Sequence, residues 1–176
     1  YSLMERKIVV IADDFTGAND TGVQFRKKGF KTGVITDLTR VSAAYHNLDI
    51  MVIDTESRFY SKQQAESVVR KLALTLKQYD PIYVYKKIDS TLRGNIGVEI
   101  QTLLETLDRR YAIVAPALPI HGRTTVGGIQ LIDNIPLEQT EVVNDPLTPV
   151  KISYIPDIIS QQSSCKIGII NIQSVL

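Results

Sequence analysis

The feature of this sequence that most limits its fold is a repeated alternation between short apolar runs and longer helical patterns. The first run, residues 7–12, is rich in Ile and Val and stops at the polar pair Asp13-Asp14. After Ser61, apolar residues recur three and four positions apart, which is the spacing of a helix that covers a core. Strands that alternate with helices form parallel sheets with helices on their faces. We therefore predict a three-layer α/β fold, with a parallel or mostly parallel sheet between helices on both faces.

The pattern of strands and helices continues as far as Pro116 and then changes. Between residues 123 and 137, a Gly127-Gly128 pair interrupts a partial alternation, which is typical of a β-hairpin inserted after the fifth strand. A further buried strand is predicted over residues 165–176, so the sequence is expected to belong to a longer protein. The predicted strands cover residues 7–12, 32–36, 49–54, 82–85 and 111–115, and the predicted helices cover residues 18–28, the segment after residue 61, and residues 96–107.

The composition is that of a soluble globular protein and excludes several functional classes. The 176 residues suffice for one domain, and 44% hydrophobic against 22% charged residues is an ordinary balance. A net charge of +1 provides no basic field for nucleic acid, and no apolar run reaches membrane-spanning length. The first residues lack the apolar stretch of a signal peptide, which predicts a cytoplasmic protein. Cys165 is the single cysteine, which excludes an internal disulfide.

Polar loops follow four of the predicted strands. In open parallel sheets, ligands bind beyond the carboxyl ends of the strands. One polar loop alone is typical of a solvated turn, but four at the same edge favour a ligand cleft. These loops cover residues 13–20, 54–58, 86–95 and 116–125.

The adjacent carboxylates Asp13 and Asp14 allow two interpretations. One of them caps the helix that begins near Ala18, with Thr16 as a rival cap. Alternatively, one binds substrate hydroxyls or acts as a general base while the other pairs with a cation, since two neighbouring carboxylates repel each other unless they are compensated.

Cationic side chains in the other loops favour an anionic ligand. Arg58, Arg93 and Arg123 lie in three different loops, and the planar guanidinium suits carboxylate or phosphate. Ser90 and Thr91 precede a predicted helix start, where free N–H groups favour an anion or a side-chain cap. Together with the carboxylates, these groups predict a site for a small, hydroxylated, anionic molecule.

No nucleotide-binding motif is visible in the sequence. Gly17 and Gly22 have the spacing of the P-loop glycines, but Val23 and Gln24 stand where that motif requires Lys and Ser or Thr. If ATP is used, it is expected to be held elsewhere.

Four segments in the same order resemble the four-carbon acid sugar kinase family. They are residues 11–20 (IADDFTGAND), 87–95 (KIDSTLRGN), 122–128 (GRTTVGG) and 140–146 (TEVVNDP). The resemblance implies a two-domain enzyme that phosphorylates threonate, erythronate or 3-oxo-tetronate with ATP and Mg²⁺. Residues 1–176 resemble its N-terminal sugar-acid-binding domain, and the C-terminal domain of the same protein would bind the nucleotide. The chain alone is therefore expected to be inactive.

The resemblance also assigns candidate site residues, to which we attach roles as a hypothesis. Asp13 or Asp14 accepts the proton of the attacking hydroxyl, and Arg93 clamps the substrate carboxylate. Hydroxyl groups of the substrate are oriented by Thr16, Asp89 and Ser90. The implied catalytic residues are Asp13 and Asp14, and the implied substrate-binding residues are Thr16, Arg58, Lys87, Asp89, Ser90, Arg93, Gly122 and Arg123.

Two other functions stay open at this point. A lone substrate domain would act as a sugar-acid binding module without catalysis. A receiver-like signalling domain would carry its phosphoacceptor at Asp54, although Ala115-Pro116 stands where such a domain has a lysine. Assembly into a homo-oligomer is also left open.

Overall fold

The computed structural model describes residues 7–174 and contains a parallel sheet of four strands in the order β2-β3-β1-β4. Ala12, at the end of β1, lies beside Asp54 of β3 on one side and beside Lys87 of β4 on the other. The polar ends of the strands therefore meet at one edge of the sheet, as predicted. The strands are β1 (Ile8–Ala12), β2 (Thr32–Ile35), β3 (Ile50–Asp54) and β4 (Tyr83–Lys87).

Five α-helices accompany the strands within the described residues. Local chemistry explains where the longest one begins, because Ser61 and Gln64 form the capping box that its sequence predicts. None of the helices in the part of the chain that the structure describes is long and apolar enough to cross a membrane. The helices are α1 (Phe15–Lys27), α2 (Val41–Tyr45), α3 (Lys62–Lys77), α4 (Ile96–Thr106) and α5 (Ile155–Ser160).

Alternate residues of β1 enter two different cores, because side chains of a strand point to opposite faces in turn. Val10 packs with Ala18 of α1 on one face of the sheet. Val9 and Ile11 pack on the other face with residues of α3 and α4, including Leu72. The predicted three-layer α/β fold is thereby confirmed.

The inserted β-structure after Pro116 is also confirmed. It is a three-stranded antiparallel sheet made of β5 (Arg123–Val126), β6 (Ile129–Ile132) and β7 (Ile135–Pro136). Beyond it, α5 and Leu137 pack on α4 and on Leu92, and so support the loop after β4.

Two predicted strands are wrong for the described residues. Residues 111–115 have no strand pairing, and the side chain of Ile113 is 80% exposed. Residues 165–171 are also unpaired, residues 172–174 form a single 3₁₀ turn, and residues 175 and 176 lie outside the described residues. An apolar run becomes a strand only where a neighbouring strand takes up its hydrogen bonds and other elements cover its faces. Within residues 7–174, no strand pairs with either segment, and most of their side chains are exposed.

Candidate functional site

Arg58 is the centre of the site and binds both members of the acidic pair. Its Nε and Nη2 donate to the carboxylate of Asp13 at 3.1 and 2.9 Å, while Nη1 and Nη2 donate to Asp14 at 2.8 and 2.6 Å. The backbone N–H of Arg58 also donates to the carbonyl oxygen of Asp13. Burial acts to lower the pKa of Arg58, but the bonds to Asp13 and the nearby carboxylates outweigh it and raise that pKa.

Asp13 and Asp14 differ in exposure and in their other contacts. Asp13 is almost fully buried, and Arg58 occupies both of its oxygens. The side chain of Asp14 keeps 22% of its surface exposed, and its Oδ1 also accepts from the N–H of Gly17 as the N-cap of α1. Both interpretations of the pair are thus met in part: Asp14 caps the helix, and a cation compensates the two charges.

Gly17 and Thr16 lie in the first turn of α1. A Cβ atom on Gly17 would stand 2.6 Å from Asp14 Oδ1, so only glycine leaves room for the cap. Thr16 is exposed and does not cap the helix, which begins at Phe15 rather than near Ala18 because Asp14 is the cap.

A second cluster of charges is formed by Asp89, Arg93 and Asp145. Arg93 Nε donates to Asp89 at 2.6 Å, and its Nη1 donates to Asp145 at 3.2 Å. The hydroxyl of Thr91 also donates to Asp89. Burial acts to raise the pKa of Asp89, but the bonds from Arg93 and Thr91 outweigh it and lower that pKa. The pKa of Arg93 is raised, mainly by its bond to Asp89.

Asp145 was missed as a site residue, although it lies in the last of the four family-like segments. Backbone N–H groups of Thr148 and Leu147 are the main reason that its pKa falls to about 2, and Arg93 adds to the effect. Its sequence signal is the Asp145-Pro146 pair at the end of that segment, which is typical of a turn.

The two clusters are in contact through Gly94. This residue has φ +92°, and a Cβ atom there would lie 3.2 Å from Cγ of Arg58. Asp89 lies near enough to Arg58 for its charge to raise the pKa of the guanidinium. The structure therefore brings together five of the predicted residues, namely Asp13, Asp14, Arg58, Asp89 and Arg93.

Lys87 is a sixth predicted residue at this edge. Its Nζ donates to the carbonyl oxygen of Ile88 at 2.8 Å and lies 3.5 Å from the position of a Cβ atom on Gly17. It therefore stands beside the N-terminus of α1, next to the Asp14 cap.

Ser90 is tied to the inserted sheet. Its carbonyl oxygen accepts from Nε2 of Gln130, a residue of β6 with no exposed surface. Gln130 also accepts from the hydroxyl of Thr125, and it therefore couples the hairpin to the loop after β4. Neither contact was visible from the sequence.

Gly122 and Arg123 lie at the start of β5, in the inserted sheet. Gly122 has φ +69° and lies against Asp133. Arg123 donates to the carbonyl oxygen of His121, and its buried Nε has no partner within residues 7–174. Among the same residues, no hydrogen bond or ion pair joins Arg123 to Asp13 or Asp14.

Asp54 is buried at the end of β3. Its Oδ1 accepts from the N–H of Glu56, and its Oδ2 has no partner among the described residues. Desolvation raises the pKa of this carboxyl, and the neighbouring acids add to the effect. A phosphoacceptor must be accessible to a phosphodonor, whereas Asp54 is 2% exposed. The receiver-like interpretation is therefore not supported by the geometry.

The acidic residues do not fit a resident metal ion. Within residues 7–174, no three His, Cys, Asp or Glu side chains are arranged to hold one. Arg58 already occupies the Asp13 and Asp14 carboxylates, which would be the obvious oxygen ligands.

A cavity of about 320 Å³ opens beside Arg58. It is large enough for a four-carbon acid, and its wall joins the loop after β3 to the loop after β4 and the segment before α5. Its lining includes Arg58, Tyr60, Gly94, Asn95, Thr148 and Gln162.

Sequence comparison shows the family. Residues 8–176 match the family described as the sugar-binding N-terminal domain. The chain is 42% identical over 170 residues to the D-threonate kinase of Salmonella typhimurium, covering 96% of this chain and 40% of that protein. It is also 42% identical over 171 residues to the D-erythronate kinase of Heliobacterium modesticaldum, covering 96% of this chain and 39% of that protein. The chain thus spans about two fifths of the length of these curated relatives.

Solved structures show the same fold. A protein of Bordetella bronchiseptica, crystallised with bound citrate as a domain-swapped dimer, superposes with a TM-score of 0.82 at 34% identity, over 87% of this chain and 39% of that one. A Haemophilus influenzae protein superposes with a TM-score of 0.80 at 30% identity, over 95% of this chain and 41% of that one. The fold, the charged loops and these similarities agree, and the chain belongs to the four-carbon acid sugar kinase family, as its sugar-binding N-terminal domain.

Proposed function

We propose that this chain is the substrate-binding domain of an ATP-dependent kinase that phosphorylates a hydroxyl of a four-carbon acid sugar. The observation that carries the proposal is the meeting of the Arg58–Asp13–Asp14 cluster with the Asp89–Arg93 pair at one sheet edge. This edge belongs to a chain that is 42% identical to a D-threonate kinase. Related proteins are named for D-threonate, D-erythronate and 3-oxo-tetronate, and these three acids are the candidate substrates.

Arg93 and Lys87 are the proposed partners of the substrate carboxylate and of developing negative charge. Arg93 is held on one side by Asp89, while its contact with Asp145 is longer, at 3.2 Å. A substrate carboxylate that takes the place of Asp145 would gain a charged partner already fixed in position. Among residues 7–174, Lys87 uses one donor on the Ile88 carbonyl and retains two others.

Asp14 is the proposed general base. Arg58 binds both carboxylates, but Asp14 keeps 22% of its side-chain surface exposed, against 3% for Asp13, and so is the one that a substrate hydroxyl can reach. In the proposed step, the substrate hydroxyl oxygen attacks the γ-phosphorus of ATP, its proton passes to Asp14, and ADP leaves. Thr16, Asp89 and Ser90 orient the substrate hydroxyls. Gly122 and Arg123 join the site from the inserted sheet.

ATP and Mg²⁺ are proposed to reach this site from a C-terminal nucleotide-binding domain of the same protein. We place such a kinase in the cytoplasm, where ATP is available. Domain swapping in the Bordetella structure makes a homodimer an expectation here as well, which light scattering tests.

Ligand binding by the chain tests the substrate class. D-threonate, D-erythronate and 3-oxo-tetronate are compared with butyrate, which lacks hydroxyls, and with threitol, which lacks the carboxylate. A ligand at about 100 times its Kd stabilises by about 2.7 kcal/mol, which corresponds to a rise in Tm of roughly 5–10 °C for a domain of this size. A rise with at least one sugar acid and none with the controls is expected. An equal response to butyrate would contradict recognition of hydroxyls.

Turnover in the complete gene product separates the kinase from a non-catalytic binding module. Phosphorylation of the sugar acid that binds is expected only with ATP present. Binding without ADP release in the complete gene product would favour the binding module, which remains the second candidate because the matched part of the relatives is about two fifths of their length.

A further inference from the structure

A buried network lies directly behind the site and takes no part in the proposed chemistry. Glu99 of α4 is 1% exposed, and its Oε2 is 2.7 Å from Nζ of Lys86, whose side chain is 9% exposed. The other carboxylate oxygen of Glu99 accepts from the hydroxyl of Ser57. Ser57 in turn contacts the hydroxyl of Thr55 at 2.8 Å, and Thr55 donates to the carbonyl oxygen of Ala12.

The network occupies the face of the sheet opposite to the acidic pair's helix. Lys86 and Lys87 are neighbours on β4, so their side chains point to opposite faces. Lys87 lies beside the N-terminus of α1, whereas Lys86 reaches α4. The two adjacent lysines of β4 therefore contact different helices, which lie on opposite faces of the sheet.

Stability alone does not account for this ion pair. Moving two charges out of water costs several kcal/mol per ion, and apolar residues of similar size can often replace such a pair with no loss of stability. A buried pair is better explained by the geometry that it fixes.

The geometry fixed here is that of the loop bearing Arg58. Ser57 is the residue before Arg58, and Glu56 before it has a left-handed φ of +47°, a conformation that persists only where the surroundings hold it. Ser57 is held by Glu99 through its hydroxyl and by Asn95 through its carbonyl oxygen. The next backbone N–H, that of Arg58, donates to Asp13.

We propose that Glu99 and Lys86 are positioning residues, whose buried ion pair holds Ser57 and thereby sets the guanidinium of Arg58 across Asp13 and Asp14. The effect on turnover rests on the proposed kinase function. The effect on Arg58 itself does not, because the loop geometry can be observed without substrate.

The experiment uses the double variant Lys86→Met/Glu99→Leu and the single variant Ser57→Ala in the complete gene product. The double variant removes both charges and keeps side chains of similar size. Ser57→Ala leaves both charges of the ion pair in place and removes the hydroxyl that links Glu99 to the loop, together with its contact with Thr55. Glu66→Gln, which alters an exposed ion pair with Arg70 on α3, is the matched control.

Four quantities are measured: the free energy of unfolding, kcat/KM for the sugar acid, KM for ATP, and the hydrogen exchange of the Arg58 Nε–H signal by NMR. Both network variants are expected to remain folded and to lose at least tenfold in kcat/KM for the sugar acid, since a small displacement of a positioned group costs up to about 100-fold. KM for ATP stays within twofold. Exchange of the Arg58 Nε–H accelerates at least tenfold, and the control matches the parent throughout.

The outcomes separate the two proposals. A parent protein that phosphorylates none of the three acids overturns the proposed function, while the Arg58 exchange rate still decides the positioning role. A folded double variant with parental exchange and kcat/KM overturns that role. If the double variant does not fold, Ser57→Ala decides it: parental values for this variant overturn the proposal, and the expected losses support it.

Discussion

Arg58 forms a two-point contact with Asp13, in which Nε lies 3.1 Å from Oδ2 and Nη2 lies 2.9 Å from Oδ1. Both side chains are more than nine-tenths buried. The contact joins the loop after β3 to the end of β1, and it leaves Nη1 to reach Asp14. The position of the proposed base therefore depends on a residue that does not take part in proton transfer.

Replacement of Arg58 by methionine is expected to destabilise the chain by about 3–5 kcal/mol, because a buried Asp13 carboxylate would lose the cation that binds both of its oxygens. Chemical denaturation measures the change. Arg40→Met is the control, since Arg40 contacts Asp37 at 3.8 Å with both side chains mostly exposed, and we expect a change within about 0.5 kcal/mol. Equal losses in the two variants would contradict the structural role of Arg58.

Gly94→Ala is expected to cost more stability than Gly29→Ala. Both glycines have φ +92°, so alanine is strained to a similar extent at the two positions, by about 1–3 kcal/mol. At Gly94 the new Cβ would also stand 3.2 Å from Arg58 Cγ, whereas at Gly29 nothing lies within 4 Å. The difference between the two free energies of unfolding isolates the contact with Arg58. If the two losses are equal, the loops are not packed as described.

Asp14→Asn in the complete gene product is expected to lower kcat by about 10²-fold or more, as loss of a general base does. Asparagine is a good N-cap and preserves the shape of the side chain, so α1 should stay intact. Binding of the sugar acid, measured by calorimetry, should change much less than kcat. Unchanged turnover would remove Asp14 from the role of base.

Asp54→Asn is expected to stabilise the chain at neutral and alkaline pH. Burial raises the pKa of Asp54, so the folded state favours the protonated carboxyl, and stability is lost as pH rises from about 4 through the raised value. Asparagine cannot ionise and still accepts from the N–H of Glu56. Denaturation curves measured from pH 4 to pH 8 should show that the variant's free energy of unfolding exceeds the parent's by an amount that increases with pH. A constant gap would contradict this reasoning.

Asp145→Asn is expected to have the opposite pH dependence. The pKa of Asp145 is lowered to about 2, so its ionised form stabilises the fold above pH 4, and this contribution is lost as pH falls through 2. The variant should therefore be less stable than the parent at pH 6, with the difference disappearing in strong acid. Acid denaturation followed by circular dichroism measures this difference. A difference in stability that stays the same from pH 6 to strong acid would refute the prediction.

Local sequence was sufficient wherever neighbouring residues set the structure. β1 stops at Asp13-Asp14, and the Ser61–Gln64 capping box starts α3, as predicted. The loops that carry the candidate site follow from the same reasoning, because parallel strands bring their carboxyl ends to one edge. Residues 111–115 show the limit of reasoning from local sequence. Their apolar pattern suits a strand, but no other strand pairs with them within the described part of the chain.

The sequence by itself determined the α/β layers, the polar sheet edge and the set of charged residues there. Only the tertiary structure decided how those charges are paired. Arg58 lies 45 residues from Asp13, and Arg93 lies 52 residues from Asp145, yet each finds its partner in the fold. Likewise, the burial of Glu99 beside Lys86 depends on how α4 packs on the sheet. Sequence periodicity shows which face of an element is buried, but a charged group takes its partner from whichever element packing brings within hydrogen-bond distance.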